Sequence, residues 1–128
     1  AESAASETGL ESVREELSLA AGKVAELKAN LDEFTCEDVL EFIDDKCVPH
    51  LAEFADGRTV ITNRFGSTVY ATVMTEFASG ERYLNRAWSA AADGYVDEVE
   101  ISVGHADTFL QAAVQHLDTA TENHAAIA

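Results

Sequence analysis

Lysine is nearly missing from this chain. Only Lys23, Lys28 and Lys46 occur in 128 residues, and the 8 basic residues in all face 24 acidic ones for a net charge of −16. Binding that strips counterions from nucleic-acid phosphates needs clustered Lys and Arg, so nucleic acid is disfavoured as a partner. No apolar run approaches the roughly 20 residues that cross a bilayer, which argues against a membrane role. Proline occurs once, at Pro49, and cysteine twice, at Cys36 and Cys47. Along a continuous helix those cysteines would lie about 16 Å apart at 1.5 Å rise per residue. A disulfide tolerates about 7 Å. They are expected to be small buried hydrophobes in a reducing cytoplasm. Residues Ala1 to Gly9 also lack the basic start and apolar stretch of a secretory signal, so the expected location is cytoplasmic.

Catalytic signatures are missing as well. There is no Gly-rich phosphate loop, no Gly-x-Ser-x-Gly elbow and no zincin motif. The Glu-x-x-His pair of bundle di-metal sites does not occur either. The acidic run Glu37, Glu41, Asp44 and Asp45 is therefore expected to be a solvated helix face. No enzyme activity and no cofactor are expected.

What is present is acid, unevenly spread. Residues 1–56 carry a net charge of −11, residues 57–92 a net of +2, and residues 93–128 a net of −7. Such a surface repels itself at ordinary salt. At molar salt the Debye length falls to about 3 Å and the repulsion is screened. A lysine-poor, acid-rich surface thus reads as adaptation to a high-salt, halophilic cytoplasm. The competing reading is recruitment of a basic partner or of divalent cations. The slightly basic middle third is the expected centre of the fold or of a protein contact.

The length suits one domain, and the apolar fraction of 47% suits a folded one. Leu10, Val13, Leu17, Ala20, Val24, Leu27 and Leu31 recur at alternating spacings of 3 and 4, a heptad seam that predicts a helix over about 8–31. Thr35 followed by Glu37 and Asp38 predicts an N-cap with acids in the first turn. The next stripe, Cys36 to Phe54, contains Pro49, which should kink or restart the helix. Val96, Val99, Val103, Ala106, Leu110, Ala113, Leu117 and Ala120 form a second seam, predicting a helix over about 95–122 with a fraying tail to 128; residues 1–7 are expected to fray too.

Residues 58–77 are ambiguous. Val69, Ala71, Val73, Thr75 and Phe77 alternate with other residues, and the stretch is rich in β-branched side chains. That favours a β-hairpin with strands over about 58–63 and 67–77. Ala78-Ser79-Gly80 then punctuates the chain before a helix over 81–92 that ends at Asp93-Gly94. The expected fold is a single mostly-α domain with a minor β part: a heptad-patterned bundle ordered helix, helix, hairpin, helix, helix. The alternative is an all-α four-helix bundle with a buried central helix.

Two groups of residues carry candidate chemistry. Cys47 and His50, at i and i+3, could share a metal with Cys36, but a structural site wants four ligands and no second pair follows at a finger spacing. Arg82, Tyr83, Arg86 and Trp88 lie in the least acidic stretch, and arginine with aromatics is enriched at interaction hot spots. The competing reading pairs those arginines with Glu81 or with acids on neighbouring helices. His105 and His116, eleven apart on one helix face, are expected to be ordinary surface histidines.

Three functions follow as expectations. The first is a non-enzymatic interaction or assembly subunit that self-associates through its helical seams, most simply as a homodimer, with a further protein partner possible. The second is a winged-helix-like DNA-binding regulator with Arg58 and Arg64 on or beside the wing, which the acid of residues 35–55 disfavours. The third is a metal- or ligand-binding helical domain using Cys36, Cys47 and His50.

Overall fold

The computed structural model describes residues 2–127, with side chains from Thr8 onward. Among the described residues there are helices and turns and no strand. Helix α1 spans Glu2–Asn30 and ends in a 3-10 turn, Leu31–Glu33. Helix α2, Cys36–Phe42, passes through a π-helical turn, Ile43–Cys47, into α3, Val48–Asp56. A short helix α4, Thr59–Phe65, leads to the long α5, Ser67–Asp93, and α6, Val96–Ile127.

Thr35 caps α2 as expected. Its hydroxyl accepts the Asp38 N–H at 3.0 Å, and the Asp38 carboxylate accepts the Thr35 N–H at 2.9 Å, closing a capping box. The disturbance expected from Pro49 also appears, but just upstream of it. Proline cannot donate a backbone hydrogen bond and crowds the carbonyl four residues earlier. The chain widens ahead of it, with the Val48 N–H bonding the Ile43 carbonyl, and Pro49 falls in the first turn of α3, where it is tolerated.

The hairpin expected over 58–77 is not there: those residues form α4 and the first part of α5. The break expected at Ala78-Ser79-Gly80 is not there either. The buried positions Val73, Phe77, Gly80, Leu84, Ala87 and Ala91 run at spacings of 4, 3, 4, 3 and 4, a third seam that crosses the supposed break. The β-branched alternation over 69–77 is weaker than this seam, because the seam buries one continuous face and alternation would split it. Nor is this helix buried on all sides, since one face of it remains exposed. Gly80 belongs to the seam because a Cβ there would lie 2.7 Å from the Leu110 side chain. Glycine lets α5 and α6 approach closely at that level. The α6 helix continues past the expected end at 122, to Ile127.

Four arms, α1, α2–α3, α5 and α6, form an up-down-up-down bundle. Arg14 pairs with Asp118 at 2.9 Å and Lys28 with Asp107 at 3.6 Å, so α1 and α6 run antiparallel. His50 meets Glu16, which sets α3 beside α1. The Phe54 and Phe77 rings lie 4.6 Å apart and join α3 to α5. Gly94 turns α5 into α6 at φ +80°, in the left-handed region open to glycine. The Gly94 N–H bonds the Ala91 carbonyl and the Tyr95 N–H bonds the Ala90 carbonyl, at 3.1 and 2.9 Å, a Schellman closure.

The two predicted seams are covered inside the chain. Leu10, Val13, Leu17, Val24 and Leu27 of α1 are buried in the same core as Val99, Val103, Ala106, Leu110 and Leu117 of α6. A second copy is therefore not needed to bury them.

Candidate interaction surface

The candidate metal residues do not converge. Cys47 is fully buried and its thiol is pushed up to about 12, mainly by desolvation, with Lys23 lowering it and Glu26 raising it. Such a thiol stays protonated and inert at neutral pH. His50 turns to α1, where its Nδ1 lies 2.7 Å from the Glu16 carboxylate. Cys36 lies elsewhere, half-buried in the wall of a 160 Å³ pocket with Leu31, Phe34, Val39 and Val99. Among the described residues no group of three or more His, Cys, Asp or Glu side chains could hold a metal ion.

The residues predicted for an interaction surface divide in two. On α5 each residue turns the direction by about 100°. Trp88 shares the face of Phe77, eleven residues earlier, which packs toward α3; Arg82, Tyr83 and Arg86 lie around the other side. Tyr83 covers the α5–α6 seam. Its ring stacks on Phe109 at 5.6 Å with an interplanar angle of 5°, and the His105 ring lies 4.7 Å from it. The Arg86 guanidinium sits 5.6 Å from the same ring, a cation–π distance. Arg82 donates to the Ser79 hydroxyl at 3.1 Å.

The ion pairs expected for these arginines with Glu81 or neighbouring acids do not form. Among the described residues the salt bridges belong to Arg14, Lys23, Lys28 and His50. Glu81 is half-buried on the same helix, and desolvation raises its carboxyl above the ordinary value.

Around Arg82 and Arg86 lies a face of unusual composition for this protein. From Thr68 to Ser89 the exposed positions on this side of α5 hold Thr, Ala, Asn, Ser and Arg side chains. From Ile101 to Thr119 the exposed positions of α6 hold Ile, His, Thr and Gln. Among the described residues of these two stretches no exposed position is acidic. Asp107 and Asp118 of α6 turn instead toward α1, where Lys28 and Arg14 pair with them. The exposed acids of the hairpin lie beyond these stretches, as Asp93, Asp97, Glu98 and Glu100 at its turn and Glu122 near the end of α6, while Glu76 and Glu81 are half-buried.

An open groove of about 570 Å³ runs along the α5 part of this face to the turn, bordered by Ala78, Arg82, Asn85, Ser89, Asp93 and Tyr95. Sequence reasoning found Arg82 and Arg86 but missed the groove and its far end. The signal for Asp93 was its spacing of eleven from Arg82, which puts both on one helix face. It was hidden while 93–94 counted only as a turn.

No protein-family model, curated protein or solved structure matches the chain. Among the described residues no helix is long and apolar enough to cross a membrane.

Proposed function

We propose that this protein is a non-enzymatic interaction or assembly subunit of a salt-rich, halophilic cytoplasm, and that it meets its partner through the outer face of the α5–α6 hairpin. One observation carries the reading. In a chain of net charge −16, the exposed positions of this face hold Arg82 and Arg86 without an exposed acid between Thr68 and Ser89 or between Ile101 and Thr119. Along these stretches a partner surface meets no exposed carboxylate, the groove's acids being the half-buried Glu81 and, at the turn, Asp93 and Glu98, and the half-buried Tyr83 stack supplies an aromatic contact of the kind that anchors interfaces. Two of the groups weighed for metal chemistry are engaged in packing: Cys47 is buried and His50 is held by Glu16. The acid elsewhere acts as a solvating coat that molar salt keeps from repelling itself.

Site-specific photo-crosslinking in the native host tests the contact. A crosslinker at Ala78 or Thr108 gives discrete protein adducts, whereas one at Glu41 or Asp44 does not. Equal labelling at both sets, or none at Ala78 and Thr108, ends the proposal. The halophilic part predicts a melting temperature that climbs steadily from low to molar KCl; a flat or falling curve removes it.

A further inference from the structure

We infer that the occupant of this face is a second copy of the chain, packed α5 against α5 in antiparallel sense about a twofold axis beside Ser89. The inference rests on the proposed reading of the α5–α6 face as a contact surface and adds the identity of the partner.

The groove along α5 is complementary to itself. At one end it has the small Ala78, the cation Arg82 and the half-buried Glu81, whose carboxyl burial shifts toward the neutral form; at the other it has Asp93, Glu98 and the outward Tyr95, which is 63% exposed. Arg82 and Asp93 are eleven residues apart, so their directions from α5 differ by only about 20°. An antiparallel copy that sets Arg82 against the partner's Asp93 necessarily repeats the contact with the roles exchanged. The same register sets Arg86 against the partner's Ser89 and brings Tyr95 to the hollow at the partner's Ala78. Charge and shape therefore select one register.

Within the described residues of a single copy these charges lack an ionic partner, Arg82 donating to the neutral Ser79 hydroxyl. Among the described residues neither Arg82 nor Asp93 forms an ion pair. The short side chains of Ala78, Asn85 and Ser89 along the groove let two helix axes approach to the usual 8–10 Å, roughly. The other broad side of the bundle cannot serve in this way, because α1 and α2–α3 would bring exposed carboxylates against exposed carboxylates. Docking the acidic side of one copy on the α5 face of another is a head-to-tail contact that builds rings or open chains, whereas the twofold arrangement closes with two copies.

Sedimentation equilibrium at moderate and molar salt decides the matter with four proteins: the wild type, Arg82→Glu, Asp93→Arg and the double variant. Both positions are exposed, and thermal melting checks that each variant folds. The wild type is expected to be a dimer. Each single reversal acts twice across the axis and raises the dissociation constant by about tenfold or more. The double variant rebuilds both contacts in reverse and returns to within about threefold of wild type. A wild type that stays monomeric overturns the inference, and so does a double variant as weak as the singles. The two readings fail separately. A monomeric wild type that still crosslinks another protein through Ala78 loses the self-pairing and keeps the contact face, while absence of any adduct at Ala78 and Thr108 removes the face itself.

Discussion

Between Glu11 and Asp56, on α1 and the α2–α3 arm, twelve carboxylates occupy exposed positions. Across the bundle, the outer face of α5 and α6 has none from Thr68 to Ser89 or from Ile101 to Thr119 among the described residues. Both sides are built from amphipathic helices on one core, so the difference is not one of fold. It teaches that charge counted along the chain and charge counted over a face are separate quantities. The last third of the chain carries a net of −7, yet its helix shows the outside a neutral flank. The reason is angular: Asp107 and Asp118 leave α6 on the side of α1, where Lys28 and Arg14 neutralise them.

The comparison can be broken at several levels. The deepest is the shared core. Phe77 is 2% exposed and packs on Phe54, so Phe77→Ala removes support from both sides at once. We expect a loss of about 3–5 kcal/mol in chemical denaturation. If α5 were a loosely docked element, the loss would be under about 1 kcal/mol. Gly80→Val acts only on the α5–α6 side, where the new side chain meets Leu110 at the close approach of the two helices. The expected loss is about 1–3 kcal/mol by the same measurement, and an unchanged midpoint would show that α6 yields freely.

The acidic side is tested by removing its acid. Replacing Glu37, Glu41, Asp44 and Asp45, all exposed, with Gln and Asn should raise low-salt stability by about 1 kcal/mol and flatten its dependence on KCl. Equal numbers of Thr→Asn changes on the α5 face should leave the salt dependence alone. Glu81→Gln gives the smallest effect. Burial raises the Glu81 carboxyl, so its ionised form weakens the folded state at neutral pH. The variant gains a few tenths of a kcal/mol there at most, because water still reaches the group. As pH falls through the raised carboxyl value the wild type takes up a proton and the advantage fades. A gain that persists at low pH would mean that charge is not its source.

Much of this was legible in the residues. The seams of α1 and α6 and the Thr35 cap are local patterns, and periodicity fixes which positions share a face. The α5 helix was harder because its β-branched first half carries a period-2 signal on top of its seam, and Gly80 looks like punctuation until Leu110 is seen beside it. The interaction surface was half legible for a similar reason. Arg82, Tyr83 and Arg86 were found by composition, while Trp88 was grouped with them by proximity in sequence although five residues of helix carry it about 140° away from Tyr83.

By itself, then, the sequence determined the helical arms, their inward faces, the total charge and the scarcity of cations. Only the tertiary structure decided which arm each face would meet. Spacing sets the angle at which a side chain leaves its own helix, but the neighbour it encounters depends on packing among all the arms. That is why two seams that each needed a partner, from inside the chain or from a second copy, found it inside the chain, and why Asp107 and Asp118 turned to α1 and left the middle of the α5–α6 face open.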